Sequence, residues 1–460
     1  MRELDERAYD IVCNWYKTIE FNPIHKSIDY SQIIRFYLGD KVGRALRIRN
    51  NIDYNEVDLY REDNNVATLY YLPTISNGKY RKALFKKDKI IYSPFIVPDF
   101  LISDINQKKG YRIVSNSINN GIDKQSILKP IKINYKDDWH LVLYNAVINS
   151  LNQLNIDLIE EDMRLLKEQI EGTCLITNLA ESELKKYKPD AIYLYSDNHP
   201  PFINYCLVSK KLGIPTFTYQ HGLDCEHYFL DDCYADYVAV WSNKRKQDYI
   251  ERSSFKPKSF KVVGKISSSD IIKNHKLTQG KSILFVTRPH RPDKCYSPTR
   301  NHLEGLHILE AILEFMLKME DVTLVIKPHP SDYVADYKTL VEERGMINRV
   351  SISDKKVMTL ASKASVVITE DSTAGVEALQ YDLPCVHAHL AKSQPVIPFV
   401  KYKSAFPGNS KEEIVDSLHK AFNLSLKERN NIKINQQRLV SHFIPKGESK
   451  NLTNFILKNI

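Results

Sequence analysis

Two stretches in the second half of the chain carry residues able to grip an anion: VTLVIKPHPSD (Val322 to Asp332) and SVVITEDSTAGVEALQYDLPCV (Ser365 to Val386). Each reads as a short β-branched strand that runs into a polar loop, and the second loop then opens a helix. In the first loop Lys327 and His329 leave the strand end between Pro328 and Pro330, which restrict the backbone. A restrained imidazole can donate a hydrogen bond to a phosphate oxygen, and the lysine adds charge. In the second loop Ser372 and Thr373 sit where an N-cap belongs, and the N–H groups and dipole of a first helical turn favour negative charge. Capping alone explains the hydroxyls. It leaves Gly375 unexplained, a residue that permits close backbone approach yet costs about 1 kcal/mol inside a helix. Glu377, one turn later, can accept hydrogen bonds from ribose hydroxyls or serve as a solvated helix glutamate. Taken together the two loops describe a phosphate pocket.

Further candidates lie at other strand ends. Arg288, His290 and Arg291 in VTRPHRPD can add positive potential or be surface charges. In the first half, His221 in TYQHG is followed by Gly222, which allows a tight turn, and Asp197 in YSDNHPP also ends a strand. No DxD pattern stands near these positions, so no obligatory metal and no cofactor are expected, with the acidic pair Asp231 and Asp232 noted.

These loops need a scaffold that brings strand ends together. From Asp137 helical spacing appears in WHLVLYNAVINSLNQL and in LIEEDMRLLKEQIEGTCLITNLAESELKKY, followed by strand AIYLYSD, helix FINYCLVSKKLG, strand IPTFTYQHG, strand ADYVAVWS and helix NKRKQDYIERS. The first hundred-odd residues are the least legible, with ATLYYLP, KIIYSPFIVPDF and YRIVSNS resembling strands. FKVVGKISSSD breaks the rhythm, and alternation restarts at KSILFVTRPHRPD. Beyond it come strands VTLVIK, RVSIS, SVVIT and PCVHA with helices between them, then closing helices KEEIVDSLHKAFN and NNIKINQQRLVSHF. Strands separated by helices call for parallel sheets covered on both faces, whose ligands bind at the carboxyl ends of the strands. The expected fold is α/β with two Rossmann-like doubly wound domains facing across a cleft, residues 1–264 and 265–460.

Bulk composition agrees. A chain of 460 residues exceeds what one core usually serves, and 43% apolar with 26% charged residues is ordinary for a folded globular protein. No apolar run approaches the roughly 20 residues that cross a bilayer, and MRELDERAYD lacks the features of a signal peptide, so a cytoplasmic location is expected. Seven scattered cysteines without CxxC spacing argue against a disulfide framework or zinc site. The formal charge of +9 suggests an anionic partner: nucleic acid, an anionic membrane surface, or phosphorylated substrates. The basic runs are short and lack aromatic interleaving, so nucleic acid is not the expected partner.

Taken in order, YQHGLD, VVGKISSSD, KPHPSD and EDSTAGVEAL, over roughly residues 190 to 390, resemble bacterial capsule and surface-polysaccharide glycosyltransferases of the GT-B type, including sialyl-, polysialyl- and Kdo-transferases. They are also similar to the CDP-glycerol glycerophosphotransferases of teichoic acid synthesis. The two-domain architecture is shared with non-hydrolysing UDP-N-acetylglucosamine 2-epimerases, so fold alone does not fix function. The resemblance implies an N-terminal acceptor domain and a C-terminal donor domain. By that resemblance His329, Ser372 and Thr373 would contact the donor phosphate, with His221 or Asp197 as the base; Lys327 and Arg288 would add positive charge to the nucleotide site and Glu377 would meet its ribose. The expected partners are a nucleotide-activated sugar donor, CMP-linked acidic sugars among the candidates, and a glycan or lipid-linked glycan acceptor that would bring the chain to the inner membrane face. The alternatives are polyol-phosphate transfer from CDP-glycerol or CDP-ribitol, and non-catalytic binding of anionic glycans or nucleic acid.

Overall fold

The computed structural model describes residues 2–50, 88–95, 97–115, 138–223, 233–253, 256–266, 281–288, 304–330, 332–390 and 395–460. The segment ATLYYLP, the pair Asp231 and Asp232, and the residues His290 and Arg291 lie outside them.

An N-terminal helical layer comes first. It holds α1 (Arg2–Thr18), the small antiparallel ribbon β1 (Ile24–His25) with β2 (Ile28–Asp29), and α2 (Ser31–Arg49). These helices pack on each other and on α4 (Trp139–Gln153) and α5 (Glu160–Tyr187). The buried face of α2 carries Arg35, Lys41, Arg44 and Arg47 among its apolar residues. Arg44 Nη1 meets Asp162 Oδ1 of α5 at 3.1 Å, and Lys41 Nζ donates to Gln169 Oε1 at 2.9 Å. Buried charge needs such partners, because removing one from a buried pair leaves an uncompensated ion.

The first sheet has six parallel strands in the order β4 (Tyr111–Ser115), β3 (Lys89–Ser93), β5 (Ala191–Leu194), β6 (Thr216–Tyr219), β7 (Tyr237–Val240) and β8 (Ser259–Val262). Its connecting helices are α3 (Asp99–Asn106), α6 (Phe202–Leu212) and α7 (Asn243–Arg252). Gly213 closes α6 at φ 69°, the left-handed stop that its glycine announces. Two expectations change here. The segment KIIYSPFIVPDF is strand only over β3 and turns into α3 at Asp99, where Pro98 suits a helix entry. FKVVGKISSSD contributes the edge strand β8 rather than a simple break, since Phe260 and Val262 pack against the first-sheet core from the strand's margin.

The second sheet also has six parallel strands, ordered β11 (Val350–Ile352), β10 (Val322–Lys327), β9 (Lys281–Val286), β12 (Val366–Thr369), β13 (Cys385–Ala388) and β14 (Phe406–Gly408). In local numbering this is 3-2-1-4-5-6, the doubly wound order of dinucleotide-binding domains. Helices α8 (Glu304–Lys318), α9 (Val334–Glu343), α10 (Val357–Ala361), α11 (Thr373–Ala378) and α12 (Lys411–Phe422) flank it. The protein is thus an α/β fold of two doubly wound parallel sheets.

Strand alternation sorts side chains into separate cores. Ile283 and Phe285 of β9 join one cluster with Val366 and Ile368 of β12, while Leu284, Val286 and Val367 face another. That second cluster also holds Tyr193, Phe217 and Trp241 from the first half, so one apolar core spans both sheets. Fully buried parallel strands read as unbroken apolar runs for this reason.

Two passages of chain link the sheets. Lys265 N–H donates to Pro445 O at 2.6 Å, and Gly447 N–H donates to Lys265 O at 2.9 Å. Gly264, at φ 80°, lies so close to Gly447 that a Cβ there would stand 2.4 Å from the Gly447 Cα. After α13 (Leu426–Phe443), which starts with a Ser425–Glu428 capping box, the chain crosses back. It ends in α14 (Ser449–Lys458), which packs on α3 of the first sheet, where Thr453 Oγ1 donates to Asp104 Oδ2 at 3.3 Å.

Candidate functional site

Each sheet reverses its strand order once, and in open α/β sheets ligands bind outside the carboxyl strand ends at that point. In the first sheet the reversal lies between β3 and β5. Asp197 follows β5 by three residues and is buried, its Oδ2 accepting the N–H groups of Tyr234 and Ala235 at 2.9 Å each. Burial pushes its carboxyl up to about 6, although those two N–H bonds and the charge of His221 pull the other way. Asp197 therefore braces the segment before β7 as well as lying near the crevice. Ser196 Oγ donates to Asn198 Oδ1 at 2.8 Å, which fixes the same loop.

His221, two residues past β6, is exposed, and its ring lies 5.4 Å from that of Tyr195. The buried Gln220 beside it controls the loop: its Nε2 donates to Gly222 O at 2.7 Å and its Oε1 accepts Trp241 N–H at 2.8 Å. Tyr219 OH, raised to about 12 mainly by burial, donates to Gly264 O at 3.0 Å and accepts Ile266 N–H at 2.8 Å. The strand that presents His221 is thereby tied to the passage between the sheets.

In the second sheet the reversal lies between β9 and β12. Arg288, two residues past β9, is buried, and its backbone N–H donates to Glu370 Oε2 at 2.8 Å. Lys327 closes β10 half-buried, its Nζ donating to Pro328 O at 2.8 Å, and burial lowers its pKa against the pull of Asp354 and Asp332. His329 is exposed on a braced loop. Its N–H is within reach of Asp332 Oδ2 at 2.7 Å and Thr287 Oγ1 at 3.0 Å, and Thr287 in turn donates to Asp332. Asp332 is the last residue of the KPHPSD motif, and its loop-closing role has a visible signal in that spacing.

Ser372 caps α11, its Oγ accepting Gly375 N–H at 3.1 Å. Gly375 now has a reason: a Cβ there would fall 2.2 Å from Thr369 Oγ1. The close approach that glycine permits is therefore made to the preceding strand. Behind the cap, Asp371 accepts Val396 N–H at 2.8 Å and Ile397 N–H at 3.1 Å, and pairs with His387 Nε2 at 3.1 Å. Burial works to raise its carboxyl, but the hydrogen bond and charge of His387, with the charges of Arg288 and His389, hold it below the usual carboxylate range.

Three contacts tie these loops to one another and to the passage between the sheets. Leu223 N–H, two residues past His221, donates to Thr373 Oγ1 at 2.9 Å. Glu377 forms an ion pair with Lys265, whose Nζ lies 5.0 Å from the Trp241 ring centre. Burial draws that ammonium down to about 8, while the adjoining carboxylate favours its charged form. Leu223 thus ties the loop of His221 to the start of α11, while Glu377 is held by Lys265 in the passage between the sheets, beside Trp241 of the first half.

No protein-family model and no curated protein matches the chain. Among solved structures it is similar to S. aureus MnaA in a co-structure with UDP, at 14% identity and TM-score 0.49 over 81% of this chain and 96% of that one. It is also similar to an α,α-trehalose-phosphate synthase (UDP-forming) from Burkholderia vietnamiensis, at 11% identity and TM-score 0.46, covering 81% and 99%. A third is the lipopolysaccharide outer core galactosyltransferase WaaB in its apo form, at 15% identity and TM-score 0.41, covering 81% and 100%. The fold assignment stands on the strand orders and registers themselves.

Sequence reading did not single out Gln220, Leu223, Lys265, Thr287, Asp332 or Asp371. Asp332 and Asp371 lie inside the motifs and are recognisable by type. Leu223 and Lys265 act through a backbone N–H and through a partner more than a hundred residues away, for which spacing gives no signal.

Proposed function

We propose that this chain is a glycosyltransferase that moves a sugar from a nucleotide-activated donor to a glycan acceptor. The hydrogen bond from Leu223 to Thr373 supports the reading, because it joins the loop of His221 to the capped start of α11. In this proposal residues 1–264 chiefly bind acceptor and residues 265–460 chiefly bind donor, with α14 returning to the acceptor side. His329 and the N–H groups behind Ser372 hold the donor phosphate, with Lys327, Arg288 and the buried Asp371–His387 pair setting the local charge. Glu377 and Thr373 act from their bonds to Lys265 and Leu223.

The reaction is direct displacement. A base takes the proton of an acceptor hydroxyl while that oxygen attacks the anomeric carbon, the bond from that carbon to the phosphate oxygen breaks, and the nucleotide leaves with the electron pair. Charge grows on the phosphate as that bond breaks, so fixed donors there favour the transition state over the ground state. His221 is exposed at the crevice, which suits a base that must reach solvent-borne acceptor; Asp197 is the second candidate, with its raised pKa but with Oδ2 engaged. A CMP-linked acidic sugar, a capsule or surface-polysaccharide acceptor and a peripheral seat on the inner membrane complete the proposal; among the described residues no helix is long and apolar enough to cross a membrane.

A thermal-shift series with CMP, CDP, UDP and GDP tests the donor site, since a ligand bound only by the native state raises the melting temperature. One nucleotide should stabilise the protein, and His329→Ala should abolish that shift. No shift with any of the four, or an undiminished shift in His329→Ala, would falsify the donor assignment. Attack at phosphorus in place of carbon would instead release CMP from CDP-glycerol.

A further inference from the structure

The carboxyl ends of β3, β5 and β6 collect aromatic rings that phosphate binding does not require. Tyr195 is the first residue past β5 and is 43% exposed. Among the tyrosine, phenylalanine and tryptophan side chains of the described residues, Tyr333 is the other one so exposed. The ring of Tyr195 lies 5.4 Å from that of His221, with planes inclined by 37°. On the same rim Phe95, just past β3, meets Phe202 at the start of α6 at 4.5 Å, and His199 meets Phe202 at 4.8 Å.

Tyr195 keeps much of its ring surface in water, and the loop beneath it is held firmly. Ser196 and Asn198 are buried and bonded to each other, His199 Nδ1 lies 3.1 Å from Asn198 Oδ1, and Asp197 anchors the loop to Tyr234 and Ala235. An exposed ring on a rigid mount at a sheet's order reversal fits a binding site built from aromatic surface with a few placed polar groups. The π face carries partial negative charge and attracts polarised C–H bonds. A pyranose offers such a face of C–H bonds, with hydroxyls around its edge for an imidazole such as that of His221.

We propose that Tyr195 is a saccharide platform, stacking on a ring of the acceptor so that one of its hydroxyls lies beside His221. The proposal rests on the glycosyl-transfer reading above for the acceptor's identity, but it concerns the first sheet alone. Tyr195 acts here as a positioning residue.

Saturation-transfer difference NMR on the full chain tests it, with maltotriose, chitotriose and an α2,8-linked sialic acid trimer as probes and CMP and UDP thermal shifts run in parallel. At least one trisaccharide should give signals concentrated on the C–H protons of one ring face. Tyr195→Ala should bind it roughly tenfold more weakly, whereas Tyr195→Trp should retain binding. Nucleotide shifts should stay unchanged in both variants. Absence of signal from all three saccharides in the unsubstituted protein overturns the platform, even if a nucleotide still stabilises the chain. Equal binding by Tyr195→Ala overturns it too, as does joint loss of saccharide and nucleotide binding. Tyr195-dependent saccharide binding with no nucleotide shift would uphold the platform and sink the donor reading instead.

Discussion

Leu223 and Thr373 are joined by a single hydrogen bond, 2.9 Å from backbone N–H to side-chain hydroxyl, that links the loop after β6 to the first turn of α11. Thr373 lies next to the N-cap serine, so the bond couples the strand end bearing His221 to the proposed phosphate site.

Thr373→Val keeps the shape of the side chain and removes the acceptor. Leu223 is buried, so its N–H then lacks a partner at a cost of about 1–3 kcal/mol. Thr373→Ser should cost much less because the hydroxyl remains. Urea unfolding of both variants checks this, and equal stability of the two would remove the bond from the account.

Gly375→Ala places a methyl 2.2 Å from Thr369 Oγ1 and 2.8 Å from its Cγ2. Overpacking of this kind typically costs about 1–3 kcal/mol. Thr369→Ala removes both of those atoms, so the double variant should recover part of the loss, and a double-mutant cycle reads the coupling. Strict additivity of the two substitutions would mean that Gly375 is required for some other reason.

Asp197 gives a pH dependence with a defined sign. Burial raises its carboxyl from the ordinary 3.8 to about 6, so between those values the native state binds the proton more than the unfolded chain does. Its contribution to stability is greatest below pH 3.8 and is lost as pH rises through 6, by roughly 3 kcal/mol at about 1.36 kcal/mol per unit. Asp197→Asn does not titrate and can still accept the Tyr234 and Ala235 N–H groups. The stability of wild type relative to this variant should therefore fall between pH 4 and pH 7. A constant offset across that range in urea titrations would contradict the mechanism.

The same variant separates the two candidates for the base. With His221 in that role, His221→Ala should lower acceptor-dependent nucleotide release about 10²–10⁴-fold, and Asp197→Asn should lower it far less. The opposite order assigns the proton transfer to Asp197. If neither variant slows release, the base lies elsewhere.

How well the chain announces this structure varies with what its buried faces are made of. β9 and β12 bury apolar residues on both sides, and with β10 and β13 they stand out as SILFVT, VTLVIK, SVVIT and PCVHA. α2 hides because its buried face mixes Arg35, Lys41, Arg44 and Arg47 with isoleucine and leucine, so charge cancels the usual apolar stripe. β8 and β14 are edge strands of four and three residues, too short for a period to stand out, although Phe260 and Val262 alternate in β8. The site divides similarly. Ser372 was legible as a cap because the hydroxyl and the helix it opens are adjacent in sequence. Glu377 read as a ribose contact or a solvated charge, and the ion pair with Lys265 emerges only when residues 112 positions apart are brought together. Gly375 was visible as an anomaly whose cause, the lack of room for a methyl against Thr369, belongs to three-dimensional packing.

The return of α14 to the first sheet has a consequence for synthesis. Asp104 and Thr453 are 349 residues apart, and α3 is covered by a helix translated long after it. At about 5–20 residues per second a ribosome needs tens of seconds to make that interval. Throughout it, the outer face of α3 and the rings of Phe217 and Tyr237 stay without the cover that α14 gives them, so the first sheet cannot complete its packing until α14 has been made. The second sheet shares the delay, because Leu439 and Phe443 of α13 and Leu452 of α14 belong to the core that spans both sheets.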